Sequence, residues 1–318
     1  MRKFGGLLKE IGIDLRSVSV GDLVVRSPIN GLEIARLKSD TKAGAARKIA
    51  RADEPKKGGV IRAGIAGGES TNSLDPALAA ATNIERASEF QRRWELSMIG
   101  KPVDRSIWLL SPPTVNAYYN PTFNEIVFPA GILMPPQFDP RADDAVNYGA
   151  IGMVIGHELT HGFDDEGRLY DADGNLKDWW TAEDSQRFEA LAEQVVRQYD
   201  GYVAVDTLHL NGKLTLGENI ADLGGITIAF HAWQRSLGGK SAPVIDGFTG
   251  EQRFFLGMAQ GWRRKFRPEM LRTQVLSDPH STASWRVNGP LSNMEAFRRA
   301  FGCKAGDPMV RAESIEIW

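Results

Sequence analysis

Aromatic residues are almost confined to one part of this chain. Residues 1–88 contain a single aromatic side chain, Phe4, whereas residues 89–318 contain all 8 Trp, all 6 Tyr and the other 13 of the 14 Phe. Because each buried aromatic side chain removes a large apolar area from water, we expect one compact domain over residues 89–318. Residues 1–88 are predicted to be an irregular extension without a core of its own, with linker-like stretches at 56–59 and 64–73.

The charge of the chain changes at the same boundary. The first 88 residues carry 15 Lys+Arg and 10 Asp+Glu, a net charge of +5, and the rest carries 23 and 30, a net charge of -7, which sum to -2. This balance predicts no nucleic-acid partner. With 42% hydrophobic and 25% charged residues, the composition is close to the average of globular proteins and argues against a wholly disordered chain.

Membrane and disulfide signals are missing from the sequence. No run of about 18 uncharged apolar residues occurs, so we expect no membrane-spanning segment. The N-terminus lacks the apolar region and the cleavage site of a secretory signal. Cys303 is the single cysteine and therefore cannot form an internal disulfide. The compartment and the oligomeric state stay open.

Hydrophobic periodicity predicts a mainly α fold with a small β-sheet, an α+β domain. The stretch 114–133 is predicted to form two strands joined by a turn at Asn120-Pro121. Helices are expected over about 84–98, 143–162, 182–199 after an N-cap at Thr181, 214–234 and 250–264.

His157, Glu158 and His161 form an HExxH pattern inside the predicted helix 143–162. Positions i and i+4 of a helix project from the same face, so both imidazoles can bind one cation. Zinc accepts neutral imidazole ligands, and a catalytic zinc keeps one position for water. Glu158 lies one residue away from the ligand face, where it can accept a proton from that water. The pattern alone also fits an exposed helix with two surface histidines.

Glu218 and Asp222 place two carboxylates at i and i+4 in an otherwise apolar predicted helix. A buried pair of this kind is unfavourable unless a cation or hydrogen-bond donors face it. If Glu218 completes the zinc ligands, Asp222 lies one turn further along and can accept the second ring N–H of a ligating histidine. The alternative, two solvated acids at a helix end, is weakened by the isoleucines and leucines around them.

The stretches VNYGAIGMVIGHELTHGFDDEGRLYDADGNLKDWW and LTLGENIADLGG resemble the neprilysin-type zinc endopeptidases of the M13 family. The likeness extends upstream to GKPVDRSIWLLSPPTVNAYYNPTFNEIVFPAGIL and downstream to MAQGWRRKFRPE and SDPHSTASWRVNGPLSNMEAFRRAFGCKAGDPM, and covers about residues 89–318. The resemblance implies a thermolysin-like gluzincin catalytic domain in which the N-terminal helical lobe of the family is missing. It also implies a metalloendopeptidase that hydrolyses peptide bonds by attack of a metal-activated water.

The site residues of the family can be carried over onto matching positions. The resemblance implies one zinc ion per chain, bound by His157, His161 and Glu218. It implies that Glu158 is the general base and that Asp222 orients a histidine ligand.

The same resemblance implies a peptide substrate and names the residues that would bind it. His280 and Arg286 match positions that stabilise the oxyanion and hold the substrate carbonyl. Gln137 and Gly261 stand where larger apolar residues are common, so we expect looser selectivity. Asn116 and Ala117 are implied to pair with the substrate backbone. The pocket for the residue after the scissile bond is implied to be apolar and to be lined by Ile132, Met153, Val154 and Trp262.

The sequence leaves two functions open. The first is a zinc metalloendopeptidase, and the second is a truncated, catalytically poor zinc-binding fragment or peptide-binding module. The retained ligands favour the enzyme, and the missing lobe favours the fragment. His209 and His231 have no partner at ligand spacing and are interpreted as surface or core residues. The basic cluster at residues 263–267 is interpreted as solvated or salt-bridged.

Overall fold

The computed structural model describes residues 23–26, 33–37 and 76–318. The chain divides into two units, residues 1–104 and residues 105–318. The predicted linker stretches at 56–59 and 64–73 lie outside the described residues.

The described part of the first unit contains one hairpin and one helix. Strand β1 (Leu23–Arg26) pairs antiparallel with β2 (Glu33–Leu37). Helix α1 (Pro76–Met98) begins about eight residues earlier than the sequence predicts. Helix α1 runs across residue 88, so no break in secondary structure marks the predicted boundary between extension and domain. That boundary stays a prediction.

The second unit is mainly helical, with two small two-stranded antiparallel sheets, so the predicted fold class is confirmed. The sheets pair β3 (Tyr118–Asn120) with β4 (Glu125–Val127) and β5 (Val203–Val205) with β6 (Leu208–His209). The helices are α2 (Asp144–Asn147), α3 (Met153–Thr160), α4 (Ala182–Asp200), α5 (Leu216–Ser236), α6 (Gly250–Gly261), α7 (Pro268–Ser277), α8 (Ala283–Leu291) and α9 (Glu295–Phe301). None of the helices described in either unit is both long and apolar enough to cross a bilayer.

The predicted helix 143–162 is helical throughout but not uniform. The side chain of Asp143 accepts the backbone N–H of Ala145 and caps α2. A π turn at Tyr148–Gly152 then joins α2 to α3, and a 3₁₀ turn follows at His161–Phe163. A π turn inserts one residue into the helical repeat, so the face on which the later residues project cannot be read from a 3.6-residue period across the whole segment.

Helix α5 is buried along most of its length because apolar side chains occur on every face of it. Leu216, Ile220 and Leu223 pack in one core with α4 and the C-terminal residues. Ile226 and Phe230 pack in a second core with α6 and α9. Any charged side chain on α5 between these cores is therefore held away from water.

Helices α3 and α5 touch through two glycines. A Cβ atom on Gly156 would lie 2.6 Å from the carbonyl oxygen of Gly225, and a Cβ on Gly225 would lie 2.6 Å from the backbone nitrogen of His157. Real Cβ atoms do not approach backbone this closely, so both positions require glycine. This backbone contact brings the HExxH residues of α3 against the carboxylates of α5.

Candidate active site

Three predicted ligand side chains converge where α3 meets α5. The Nε2 atoms of His157 and His161 lie 3.0 Å apart. Glu218 places Oε2 3.3 Å from Nε2 of His157 and Oε1 3.7 Å from Nε2 of His161. Ligand atoms about 2.0–2.2 Å from a tetrahedral zinc are separated by about 3.3–3.6 Å. The three side chains therefore fit around one zinc ion.

The opposite ring nitrogens are held by aspartates. Nδ1 of His157 lies 2.9 Å from Asp222 Oδ1, and Nδ1 of His161 lies 2.6 Å from Asp164 Oδ2. A carboxylate at Nδ1 fixes the proton there and leaves Nε2 as a metal ligand. Both histidines are thus in the orientation that metal binding requires.

Asp164 is a site residue that the sequence analysis did not identify. Its Oδ1 accepts the backbone N–H groups of Glu166 and Gly167, at 2.9 and 2.7 Å. This turn positions the carboxylate against His161, and Asp164 is itself buried. The signal was present in the sequence as an acid three residues after the second histidine, within HGFDD.

Arg286 is the buried cation of the site. Its Nε and Nη2 donate to the two oxygens of Asp222 at 2.8 and 2.7 Å, and Nη2 lies 3.1 Å from Oε2 of Glu218. Arg286 is 5% exposed and Asp222 is fully buried. This bidentate ion pair compensates the carboxylate that orients His157.

The charges of the site favour a bound cation. Although burial opposes the charged form, hydrogen bonds to Asp222 and Glu218 raise the pKa of His157 to about 9. Burial alone would raise the pKa of Glu218. Hydrogen bonds with His157 and His280 and the charge of Arg286 outweigh it and hold the pKa of that carboxyl well below its usual range. Oε2 of Glu218 is buried without a well-formed hydrogen bond, so this anionic atom is available to a metal.

Glu158 differs from Glu218 in its environment. Its carboxylate lies with the imidazoles of His157 and His161 in a group whose ligand atoms are within 4.8 Å of one another, so it is a second possible ligand. Burial raises the pKa of Glu158, whereas that of Glu218 is lowered. A carboxyl with a raised pKa is suited to accepting a proton, which makes Glu218 the better candidate ligand and Glu158 the better candidate base.

His280 lies in the segment between α7 and α8. Its Nδ1 is 2.7 Å from Asp278 Oδ1, and its Nε2 is 3.1 Å from Oε1 of Glu218. The hydrogen bond to Glu218 raises the pKa of His280 against the effect of burial. The side chain is therefore oriented by Asp278 and directed to the same centre as the three ligand side chains.

A cleft of about 440 Å³ joins these residues to the predicted substrate-binding positions. Asp222 does not reach the cleft, because it lies behind His157 in the interior. His209 and His231 are not among the lining residues either. The predicted site residues that line the cleft are Asn116, Ala117, Ile132, Met153, Val154, His157, Glu158, His161, Glu218, Trp262, His280 and Arg286.

The two substrate-binding sets occupy different parts of the lining. Asn116 and Ala117 directly precede β3, which has β4 as its single partner among the described strands. Ile132 and Val154 belong to a small apolar cluster with Phe128, Phe138 and Ile151. The ring of Trp262 covers the guanidinium of Arg286, with Cζ 4.1 Å from the ring centroid.

Comparisons with known proteins give a consistent result. The sequence profile of peptidase family M13 matches residues 116–317. An endothelin-converting enzyme homologue of Locusta migratoria is 44% identical over 240 residues, which are 74% of this chain and 33% of that protein. Human endothelin-converting enzyme 1 is 44% identical over 239 residues, 74% of this chain and 31% of that protein. The chain thus spans about a third of the length of these relatives.

A solved structure shows the same architecture. The zinc metalloprotease ZMP1 of Mycobacterium tuberculosis, in complex with an inhibitor, is similar with a TM-score of 0.71 and 49% sequence identity. The match covers 74% of this chain and 37% of that protein.

Proposed function

The chain belongs to peptidase family M13, and from this premise we propose that it is a zinc-dependent endopeptidase with one zinc ion per chain. The observation that carries the proposal is the convergence of His157, His161 and Glu218 at separations of 3.0–3.7 Å. The chain spans only about a third of the length of its curated relatives. The proposal therefore rests on the site residues of this chain and not on the activity of those relatives.

The metal ligands and Glu158 support hydrolysis of a peptide bond by an attacking water molecule. A zinc ion bound there would polarise a carbonyl group and lower the pKa of a water molecule. Glu158 takes the proton of the attacking water and delivers it to the leaving amine. Asp222 and Asp164 keep Nδ1 of the two histidines protonated, so that Nε2 stays directed to the centre.

Two basic side chains beside the metal ligands support stabilisation of the developing charge. Attack on a peptide carbonyl places negative charge on its oxygen, and preorganised donors in a site shielded from water lower the energy of that state. His280 and Arg286 line the cleft, and both carry raised pKa values, His280 chiefly through Glu218 and Arg286 through Asp222 against the effect of burial. We assign the oxyanion contact to these two cations.

Substrate binding follows from the strand and the apolar wall. An extended peptide can pair with the chain at Asn116 and Ala117, where β3 offers a second edge. Ile132, Met153 and Trp262 present apolar surface to the residue after the scissile bond, and burial against it contributes about 25 cal/mol per Å². We therefore propose that Phe, Leu and Ile are preferred there over charged residues.

Selectivity in that pocket is proposed to be loose. Gln137 also lines the cleft, and its amide nitrogen lies 3.5 Å from the carbonyl oxygen of Gly261. A Cβ on Gly261 would lie 2.9 Å from Oε1 of Gln137, so the small residue makes space for the amide. A polar amide at this wall selects less strongly for apolar shape than a large apolar side chain does.

The base assignment is tested by Glu158→Gln. The amide cannot accept a proton, so the variant should keep its zinc and lose nearly all peptide hydrolysis. The matched control is Glu166→Gln, the same change at another acid of the cleft lining, which should retain activity. Hydrolysis by Glu158→Gln at the parent rate would show that Glu158 is not the base.

A second candidate function is a zinc-binding module with little turnover. The observation that favours it is the match to about a third of the length of the relatives. Full zinc loading without cleavage of any peptide would support this alternative over the enzyme.

A further inference from the structure

A run of basic residues follows α6 at the edge of the cleft. Arg263, Arg264, Lys265 and Arg267 are exposed. Among the residues whose side chains the structure describes, no carboxylate lies within ion-pair distance of any of the four. Within the described residues the cluster is therefore solvated rather than salt-bridged, one of the two states expected from the sequence, and no described carboxylate competes with a ligand for these cations.

Arg264 is the member of this run that reaches the catalytic cleft. It lines both the cleft and an adjoining cavity of about 540 Å³, and Val115 and Gln137 are also shared by the two. Arg263 lines the adjoining cavity only. The two cavities thus adjoin at Arg264, close to Trp262 in the sequence.

The indole of Trp262 links Arg264 to the catalytic residues. Cζ of Arg264 lies 5.3 Å from the ring centroid, and Cζ of Arg286 lies 4.1 Å from the same ring. A cation within about 6 Å of an indole is attracted by the ring quadrupole, so Trp262 restricts where the Arg264 guanidinium can lie. A substrate residue bound against Trp262 places its neighbour within reach of Arg264.

The other basic side chains of the cleft already have acidic partners. Arg286 is paired with Asp222 and Glu218, and His280 is paired with Asp278 and Glu218. Outside the metal centre formed with Glu158, Asp164 and Glu218, Glu166 is the one acid among the residues that line the cleft. Away from the metal centre and the oxyanion contact, a substrate carboxylate would be repelled by Glu166 and attracted by Arg264, so this guanidinium is the favourable position for a negatively charged substrate group.

Resting on the function proposed above, we infer that Arg264 binds a carboxylate of the peptide substrate, one residue beyond the apolar position after the scissile bond. The carboxylate comes either from an acidic side chain or from the C-terminus of the peptide. Arg263 adds to the positive potential without contacting the cleft. Because Arg264 is exposed, the expected effect is modest, about three- to tenfold in affinity or kcat/KM, and is screened by salt.

Four peptides with a common apolar residue after the scissile bond test this inference. At the next position they carry Ala, Glu or Lys followed by a C-terminal amide, or a terminal Ala with a free carboxylate. The measurement is kcat/KM for the zinc-loaded parent, for Arg264→Ala, and for Arg267→Ala as the matched control, since Arg267 lies in the same run and lines neither cavity.

The expected result is a preference of about fivefold for the peptides that carry a carboxylate over the neutral Ala amide, with the Lys peptide cleaved least. The ratio of carboxylate to neutral peptide should fall towards 1 in Arg264→Ala and persist in Arg267→Ala. It should also shrink between about 0.05 and about 0.5 M salt. A preference for the Glu peptide identifies a side-chain carboxylate, and one confined to the free Ala terminus identifies the peptide C-terminus.

Measurements of peptide binding test the carboxylate site independently of the proposed catalytic activity. Dissociation constants for the same peptides, measured with zinc-loaded Glu158→Gln alone and combined with Arg264→Ala, should show the same ratio and the same loss. If no peptide is cleaved but this pattern appears in binding, the enzyme proposal fails and the carboxylate site stands. Equal affinity for all four peptides, or a carboxylate preference that survives Arg264→Ala, would overturn the inference.

Discussion

The contact between α3 and α5 predicts that Gly156→Ala damages both stability and metal binding. The new Cβ would lie 2.6 Å from the carbonyl oxygen of Gly225 and 2.9 Å from its Cα. Ordinary contact begins at about 3.4 Å, so the two helices must separate by about 0.8 Å. Overpacking of this kind costs about 1–3 kcal/mol, and the better helix propensity of Ala offsets about 1 kcal/mol of it.

Thermal unfolding and metal competition measure the result. A net loss of up to about 2 kcal/mol corresponds to a fall in Tm of up to about 8 °C for a domain of this size. Zinc affinity, measured by competition with a chelator, should fall at least about tenfold, because α3 and the turn that follows it carry the two imidazoles and α5 carries the carboxylate of Glu218. The loss of affinity should therefore exceed what the stability change alone produces.

Gly152→Ala provides the matched control. Gly152 lies one turn earlier in the same helical segment, and a Cβ there would meet no atom closer than 3.6 Å. That variant should be as stable as the parent or more stable by up to about 1 kcal/mol, with unchanged zinc affinity. A Gly156→Ala protein that matches the parent in Tm and in zinc affinity would refute the claim that this backbone contact positions the ligands.

Further predictions concern the carboxylates around the centre. Glu218→Val should reduce bound zinc well below that of the parent by metal analysis, and equal zinc content would remove Glu218 from the ligands. Asp164→Ala and Asp222→Ala should each weaken zinc affinity about 10–100-fold, because each frees the Nδ1 of one histidine. Asp222→Ala should also lower Tm more than Asp164→Ala does, since it leaves the buried charge of Arg286 without its bidentate partner, a loss of about 3–5 kcal/mol. Equal Tm for the two variants would contradict that pairing.

The long helices could be predicted because their periodicity and caps agree. Thr181 accepts the backbone N–H of Asp184 and begins α4 where the sequence indicates. Helix α5 also forms where expected, shifted by two residues. The short helices α7, α8 and α9 were not predicted, and α8 contains Pro290, a residue that normally argues against a helix interior. Their formation depends on tertiary packing: Val275 of α7 packs in the first core, and Leu291 of α8 and Ala296 of α9 pack in the second.

The sequence predicts those parts of the candidate site that depend on residues close together in the chain. It does not predict contacts between residues that only the fold brings together. The HExxH spacing puts two imidazoles on one face, and the structure directs both Nε2 atoms to one point. Asp164 acts across a turn whose geometry no periodicity describes. The pairing of Arg286 with Asp222 joins residues 64 positions apart, and the glycine contact between α3 and α5 is a property of two backbones. These features need the fold.

The central claim, that this chain hydrolyses peptides at the described site, is tested most directly by digestion of a peptide library with the zinc-loaded chain, read by mass spectrometry. The account predicts cleavage mainly before Phe, Leu and Ile, absent from a parallel digestion with zinc-loaded Glu158→Gln. Cleavage mainly before Asp, Glu, Lys or Arg would contradict the apolar pocket. No cleavage of any peptide by the fully zinc-loaded chain would contradict the claim itself.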